Sequence, residues 1–260
     1  MNQTFNLSER INDGQVIYGT FLAELMAPGV IDVLANNNLD FALVDAEHGM
    51  YSLSVIQELI SASHRAGIFP MVRVPGVDRG FVTKILDSGA RGVIFPQIRS
   101  IEQVLEAVQI SKFPPMGSRG LHGYRPHTNF KRPADWPEFF EHTNRSNLTI
   151  VQIETKQILD QLDLVAATEG VDVLYVGPAD LAAELGCPGE WDNAKVQGVF
   201  RKVVQVCGDH GKIAGAHIGT VDQATALIDM GFRIFGYAAA IAFLESGVKS
   251  FLADVPHSVK

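Results

Sequence analysis

Short apolar segments recur along the whole chain, separated by stretches in which apolar residues are spaced three or four positions apart. The segments rich in β-branched and aromatic residues, which we predict to be strands, cover residues 16–21, 41–44, 69–74, 92–95, 149–153, 172–176, 212–216 and 232–235. Most intervening stretches have helical periodicity, for example Leu53, Ile56, Leu59 and Ile60 before a stop at Gly67. The pattern predicts strands and helices in alternation.

Eight strand–helix units divide the 260 residues into about 32 residues each, the number and size of units in a (β/α)₈ barrel. An open doubly wound sheet is the alternative, but it normally has a glycine-rich phosphate turn after its first strand, and the segment after Thr20 reads FLAELMAPG. Strands such as FALV and VLYV are apolar on both faces, as expected between helices and a filled interior. We therefore predict one α/β domain over residues 1–260, a TIM barrel.

The charge balance and the ends of the chain narrow the choice of partners. The 21 Lys and Arg against 29 Asp and Glu give 21 − 29 = −8, and no basic cluster suits a nucleic-acid backbone. No apolar run approaches the ~20 residues that span a bilayer, and the first residues do not resemble a secretory signal. Cys187 and Cys207 are predicted to be reduced. We expect a cytoplasmic protein that acts on small molecules and binds neither nucleic acid nor membranes.

One connection is longer than the others. Residues 114–147 separate a predicted helix from the next strand and are rich in Pro, Gly, His, Arg and aromatic residues. Loops of this length are usually functional or interfacial, so the segment is interpreted either as a surface excursion or subunit contact, or as a lid over a ligand. His122 and His127 within it are interpreted as solvated loop residues.

Acidic residues follow two neighbouring predicted strands. The carboxyl ends of barrel strands converge on one face, so Glu154 and Asp180 are expected to lie near one another. Singly, Asp180 could be a helix N-cap and Glu154 part of an ion pair; together they favour a hard divalent cation such as Mg²⁺ or Mn²⁺. The helix that opens at Gly177 offers free backbone N–H groups to a carboxylate. A cation beside this seat would bind a 2-oxo acid and make its C3 proton removable.

Other polar residues are predicted at the same face. Arg73 ends an otherwise apolar strand and requires an anion, which is either a substrate oxygen or the carboxylate of Asp45 or Glu47. His48 suits proton transfer near neutral pH, with Asp45 or Asp87 as the group that orients its ring, although a lone histidine is more often only a rim residue.

Two further residues bear on the chemistry. Lys84 falls in a predicted helix and no strand interior contains a lysine, which disfavours an imine mechanism and favours metal-dependent enolate formation. His217 follows the seventh strand and receives no role.

At these positions the chain resembles the HpcH/HpaI family of class II pyruvate aldolases. The motifs that carry the resemblance are LVDAEHG (43–49), MVRVP (71–75), KILDSGARGVIFP (84–96), GSRG (117–120), VQIETK (151–156) and VGPADLA (176–182). Each motif alone is weak, but their common order is specific. The resemblance implies a TIM barrel that cleaves a 4-hydroxy-2-oxo acid to pyruvate and an aldehyde with the help of Mg²⁺, Mn²⁺ or Co²⁺.

The resemblance also implies roles for residues that bind metal and substrate. Glu154 and Asp180 correspond to the metal ligands, and Arg73 to the residue that binds the pyruvyl oxygens and stabilises the enolate. Gln152 corresponds to a glutamine beside the metal site, and the amides of Ala179 and Asp180 to the carboxylate seat.

The remaining implications concern the proton and the assembly. His48, held by Asp45 and Asp87, corresponds to the acid/base element. Family members exchange their C-terminal helix between subunits, so a homo-hexamer built as a trimer of dimers is implied.

Some positions depart from the family pattern and leave the acceptor aldehyde open. The chain has Gly49-Met50-Tyr51 where many aldolases have Ala-Pro, and Phe21 where some have Trp. Two alternatives therefore remain at this stage. One is a condensation of acetyl-CoA with oxaloacetate on the same fold, and the other is a barrel that binds a small acid without turnover.

Overall fold

Eight parallel strands, each paired with its neighbour in the chain, close into a barrel in the computed structural model, which describes residues 6–255. The strands are β1 (Ile17–Leu22), β2 (Phe41–Asp45), β3 (Phe69–Arg73), β4 (Gly92–Phe95), β5 (Leu148–Ile153), β6 (Val173–Val176), β7 (Ile213–Ile218) and β8 (Ile234–Ala239). Pairing of β8 with β1 closes the sheet. The predicted TIM barrel is confirmed, and every predicted strand overlaps an observed one.

Helices fill the connections and surround the barrel. In the described part of the chain they are α1 (Leu7–Asn12), α2 (Gly29–Asn36), α3 (Leu53–Ala66), α4 (Arg79–Asp87), α5 (Ile101–Ser111), α6 (Trp136–Ser146), α7 (Lys156–Leu159), α8 (Leu162–Ala167), α9 (Pro178–Glu184), α10 (Ala194–His210), α11 (Val221–Met230) and α12 (Ala240–Asp254). The α3 helix shows why the ends fall where they do. The Ser52 side chain accepts a hydrogen bond from the Val55 amide, and Gly67 ends the helix with a φ of 77°.

Side chains along each strand alternate between two apolar layers. In β3, Phe69 and Met71 belong to the core inside the barrel, whereas Val72 and Val74 pack beneath the helices. Because successive strand residues face opposite sides, Arg73 follows Phe69 and Met71 into the barrel. The same alternation brings Asp45, Gln152 and His217 to the carboxyl ends of their strands facing the interior.

The connection at residues 114–147 contains a helix that the sequence analysis did not predict. Asp135 caps α6 by accepting a hydrogen bond from the Glu138 amide at 2.9 Å. Phe140 of this helix stacks on Phe113, with ring centroids 4.6 Å apart. The prediction of a loop throughout was wrong because the stabilising apolar contact comes from a residue outside the segment.

Cys187 and Cys207 are both free, as predicted, and both are buried. Among the helices of residues 6–255, we find none whose length and apolar character would let it cross a membrane.

Candidate active site

Arg73 forms a two-pronged ion pair with Asp45 at the mouth of the barrel. The two residues are register partners on β3 and β2, so their inward side chains lie next to each other. Nε of Arg73 donates to Oδ1 of Asp45 at 2.9 Å, and Nη2 donates to Oδ2 at 2.7 Å. Oε2 of Glu47 lies 3.3 Å from the same Nε. These contacts fix the guanidinium plane, with Nη1 directed away from Asp45.

Several carboxylates act on Arg73 at once. Burial alone would lower the pKa of Arg73, but the hydrogen bonds that Arg73 donates to Asp45 and the charges of Asp45, Glu47 and Glu154 raise it above its ordinary value. Arg73 is therefore a permanent cation whose side chain is only 11% exposed. Such a group is suited to hold an anionic oxygen away from bulk water.

Glu154 is held by donors from two neighbouring strand ends. Its Oε1 accepts hydrogen bonds from the Gln97 backbone amide at 2.7 Å and from the Gln97 side-chain amide at 3.1 Å. Its Oε2 accepts a short hydrogen bond from the Gln152 side chain. A side chain at Gly177 would not fit here, because a Cβ would lie 2.6 Å from Oε2 of Glu154. The carboxylate is therefore fixed in one orientation.

Asp180 lies in the first turn of α9 and is exposed, as is Ala179 beside it. Burial raises the pKa of Glu154, the hydrogen bonds from Gln97 and Gln152 oppose this shift, and the charge of Asp180 adds to it. The two carboxylates thus lie within electrostatic range at the same end of the barrel. In residues 6–255, no group of three or more His, Cys, Asp or Glu side chains is arranged as a metal site.

The donor set nevertheless fits a hard divalent cation. Magnesium is commonly bound through one or two carboxylates, with water and substrate oxygens completing its shell. Oε1 of Gln152 is buried without a hydrogen-bond partner among the described residues, so an oxygen donor beside Glu154 is available. Four carboxyl groups, those of Asp45, Glu47, Glu154 and Asp180, are electrostatically coupled to one another or to Arg73. These carboxyl groups outnumber the single guanidinium, so an anionic substrate is disfavoured until a cation is bound.

The environment of His48 differs from the sequence-based prediction. Its side chain is 67% exposed, and Nε2 lies 4.0 Å from Oε2 of Glu47. Asp45 does not orient the ring, because its carboxylate faces Arg73. Oδ1 of Asp45 instead accepts hydrogen bonds from the Glu47 and His48 backbone amides at 3.1 and 3.4 Å. Asp45 therefore positions the turn that bears His48, and not the imidazole itself.

Asp87 has other partners than the predicted His48. It ends α4, and its Oδ1 lies 3.3 Å from Nη2 of Arg119 and 3.6 Å from Nδ1 of His127. The prediction that Asp87 orients His48 is not supported in this chain, because the 114–147 segment supplies both of its partners. His127 was predicted to be solvated and is instead buried, with its side chain 6% exposed. Burial also lowers the pKa of Arg119 to about 10, although Asp87 opposes this shift.

His217 lies inside the same mouth. Its ring meets Phe21 edge-on with centroids 4.9 Å apart, and the Arg73 guanidinium lies 5.0 Å from the centroid of the same Phe21 ring. Burial, with the positive charge of Arg73 in addition, lowers the pKa of His217 from 6.5 to about 4. The imidazole is therefore neutral at neutral pH.

This pKa shift predicts a pH dependence of stability. Between pH 6.5 and about 4 the unfolded chain binds a proton on His217 that the folded chain does not bind, so stability is lost as the pH falls. We expect the wild type to lose about 2 kcal/mol more unfolding free energy than His217→Asn between pH 7 and pH 5. Urea unfolding at both pH values measures the difference. An equal loss in the two proteins would show that His217 does not carry this linkage.

Two contributors to the site, Gln97 and Tyr175, were absent from the predicted set, and Glu47 was named there only as an alternative partner of Arg73. Gln97 donates twice to Glu154 from a backbone with a φ of 54°, and Glu47 contacts Arg73. The hydroxyl of Tyr175 accepts a hydrogen bond from the Gly236 amide inside the barrel. The signal in the sequence was position: Gln97 and Glu47 each lie two residues after the end of a strand, and Tyr175 is a polar residue within an apolar strand.

Carboxylates, a permanent cation and a buried amide at the carboxyl ends of the strands place the chain among barrel enzymes that act on small acids. Residues 18–240 match the family described as HpcH/HpaI aldolase/citrate lyase. The chain belongs to this family and is an enzyme of the aldolase type.

Individual relatives agree with this assignment. A hydroxypyruvate/pyruvate aldolase of Paraburkholderia phytofirmans is 33% identical, with 96% of each chain covered. The crystal structure of an HpcH/HpaI aldolase from Desulfitobacterium hafniense DCB-2 has a TM-score of 0.90 at 30% identity, covering 98% of this chain and 99% of that one. The crystal structure of the citrate synthase SbnG has a TM-score of 0.85 at 28% identity, covering 96% of each chain.

Proposed function

We propose that this aldolase cleaves a 4-hydroxy-2-oxo acid to pyruvate, or a related 2-oxo acid, and an aldehyde. The observation that carries the proposal is the fixed Arg73 guanidinium beside the buried Glu154 carboxylate at the mouth of the barrel. The Arg73 guanidinium is suited to bind substrate oxygens that become negative during cleavage, and the Glu154 carboxylate is suited to bind a cation. The reverse condensation uses the same groups.

Glu154 and Asp180 would hold the divalent cation, and Gln97 and Gln152 keep the Glu154 carboxylate oriented. When bound, Mg²⁺, Mn²⁺ or Co²⁺ would withdraw electrons from the 2-oxo group and so favour the enolate. The backbone amides of Ala179 and Asp180, in the first turn of α9, would receive the substrate carboxylate.

Arg73 and His48 would perform the remaining chemistry. Cleavage breaks the C3–C4 bond as the C4 hydroxyl loses its proton and becomes the aldehyde carbonyl, and C3 later gains a proton. Arg73 directs a donor at the C2 oxygen, where negative charge develops, and Asp45 prevents the guanidinium from turning away. His48, whose ring is exposed at the mouth, would accept the hydroxyl proton and return one to C3.

Metal removal gives the direct test of the proposal. We expect the chelator-treated protein to release little 2-oxo acid from a panel of 4-hydroxy-2-oxo acids, and Mg²⁺, Mn²⁺ or Co²⁺ to restore release by at least ~100-fold, because Lewis-acid stabilisation is worth several kcal/mol. A coupled dehydrogenase assay for pyruvate measures it. Full activity after chelation, with metal content confirmed to be negligible, would contradict the proposal.

The structural similarity to a citrate synthase supports one second candidate, the condensation of acetyl-CoA with oxaloacetate. This reaction releases free CoA thiol, whereas aldol cleavage releases none. A thiol-reactive dye added to the protein with both substrates therefore separates the two candidates. Thiol release together with inactivity on every 4-hydroxy-2-oxo acid would favour the synthase.

We also propose that α12 packs against another copy of the chain, consistent with the implied helix exchange and hexamer. Four of its exposed apolar residues form one stripe at helical spacing: Ile241, Leu244, Val248 and Phe251. Such a stripe on a single helix indicates a helical partner, because apolar patches of this kind mark interfaces.

Light scattering after gel filtration tests this assembly. A double variant with Leu244→Glu and Phe251→Glu is expected to shift the protein from an oligomer to a smaller species, because it places two charges in an apolar contact. Ser250→Glu, on the same helix but off the stripe, is the matched control and is expected to leave the mass unchanged. A monomeric wild type, or an unaltered mass in the double variant, would contradict the assignment.

A further inference from the structure

His217 is placed on the substrate side of the barrel by the alternation along β7. Ala214 and Ala216 belong to the layer beneath the helices, so Gly215 and His217 face the interior. His217 pairs with Gly236 of β8. A Cβ at Gly236 would lie 2.4 Å from the Tyr175 hydroxyl and 2.9 Å from the Phe21 ring, so the β8 residue in register with His217 is a glycine with no room for a side chain.

Among the described residues, the His217 ring is held by a packing contact and not by a hydrogen bond to Nδ1. Phe21 packs against the ring and also lies beneath the Arg73 guanidinium, so His217 and Arg73 share one aromatic support. Nδ1 of His217 is buried and has no hydrogen-bond partner among the described residues. A buried polar atom without a partner is costly to a fold, so such an atom in a site indicates a partner that arrives with the ligand.

The chemistry of that partner follows from the charge of the ring. Burial and the nearby Arg73 disfavour protonation of His217, so the imidazole offers a neutral donor or acceptor and does not compete with Arg73 for a carboxylate. A hydroxyl group both donates and accepts, so it pairs with Nδ1 in either tautomer of the ring. A hydrocarbon group at the same place would leave Nδ1 without a partner.

We propose that Nδ1 of His217 is a specificity-determining contact that hydrogen-bonds a hydroxyl group of the substrate, so that the enzyme favours hydroxylated substrates over their deoxy analogues. The inference rests on the proposed aldolase function and names its substrate class. The hydroxyl has two possible sources, namely the C3 substituent of the 2-oxo acid and the C2 substituent of the aldehyde. The rest of the reaction requires neither.

The experiment compares condensation rates in two arms. The first arm uses hydroxypyruvate against pyruvate with one fixed aldehyde, and the second uses glycolaldehyde against acetaldehyde with one fixed 2-oxo acid. Each is measured with the metal-loaded wild type, with His217→Leu, which removes the polar atoms, and with His217→Asn, whose amide occupies the place of Nδ1. The ratio of kcat/KM for the hydroxylated and deoxy partners is the readout.

We expect the ratio in one arm to fall by about tenfold in His217→Leu, the loss typical of one hydrogen bond, and to remain within about threefold of wild type in His217→Asn. The affected arm identifies the source of the hydroxyl. An unchanged ratio in both arms, or an equal loss with both partners in a folded variant, would overturn the assignment. If His217→Leu does not fold, a His217→Asn ratio equal to wild type supports the contact, and His217→Gln, which displaces the amide, must then lower it.

Failure of this inference is distinguishable from failure of the proposed function. An active wild type whose ratios are insensitive to His217 contradicts only the role of Nδ1. A wild type that forms no carbon–carbon bond with any pair, with or without metal, contradicts the aldolase proposal and this inference with it.

Discussion

Replacing Arg73 with alanine is expected to lower kcat for cleavage by about 10²- to 10³-fold, because a fixed donor aimed at a developing oxyanion is worth roughly 3 to 4 kcal/mol. The side chain is held by two hydrogen bonds to Asp45 and is mostly removed from solvent, so its charge acts with little screening. The measurement is the steady-state release of 2-oxo acid at saturating metal and substrate.

Controls must separate catalysis from folding, because the Arg73→Ala change leaves the Asp45 and Glu47 carboxylates without their cation. A double variant, Arg73→Ala with Asp45→Asn, removes one of these charges and should recover stability but not turnover. Arg201→Ala, an exposed arginine of α10, is the matched control and is expected to be fully active. Unchanged turnover in a folded Arg73→Ala protein would exclude Arg73 from the chemistry.

Glu154→Gln is expected to abolish the activation by metal, with a loss of about 10³-fold or more in kcat/KM. A Lewis acid supplies several kcal/mol, and each factor of ten corresponds to about 1.4 kcal/mol. The substitution preserves the shape of the side chain and leaves one oxygen to accept from Gln97. It removes the negative charge that, with Asp180, would bind the ion.

Binding of Mn²⁺, followed by its paramagnetic resonance signal, gives a second readout that does not depend on turnover. The Glu154→Gln protein is expected to bind Mn²⁺ at least ~10-fold more weakly than wild type, since one anionic ligand is lost. Glu106→Gln removes the same charge from an exposed position on α5 and should change neither readout. Equal Mn²⁺ affinity in wild type and Glu154→Gln would place the ion elsewhere.

The fold and the general position of the site follow directly from the sequence pattern. Along β5, the period of two places Ile150 and Gln152 on the inner face, and Glu154, directly after the strand, continues the same series. The apolar residue comes first, and the two polar residues lie at the carboxyl end of the strand. Similarly, Arg73 follows Met71 by two residues. A reader of the sequence can therefore deduce both the barrel and the end of it that bears the chemistry.

The sequence also determined the family, because the order of several motifs along one chain is information that packing does not alter. It did not determine which polar groups pair with which. Asp45 lies three residues from His48 in the chain, yet its carboxylate meets Arg73, because parallel register places those two side chains side by side.

Tertiary structure alone decided the partners of the remaining groups. Asp87 is 32 and 40 residues from Arg119 and His127, and only the packing of the 114–147 segment on α4 brings them together. Likewise, the burial of His217 against Phe21, and hence its neutral state, depends on a contact between β7 and β1. Periodicity is local and can be read along a chain, whereas charge pairing and desolvation depend on distances in space that the closure of the barrel sets.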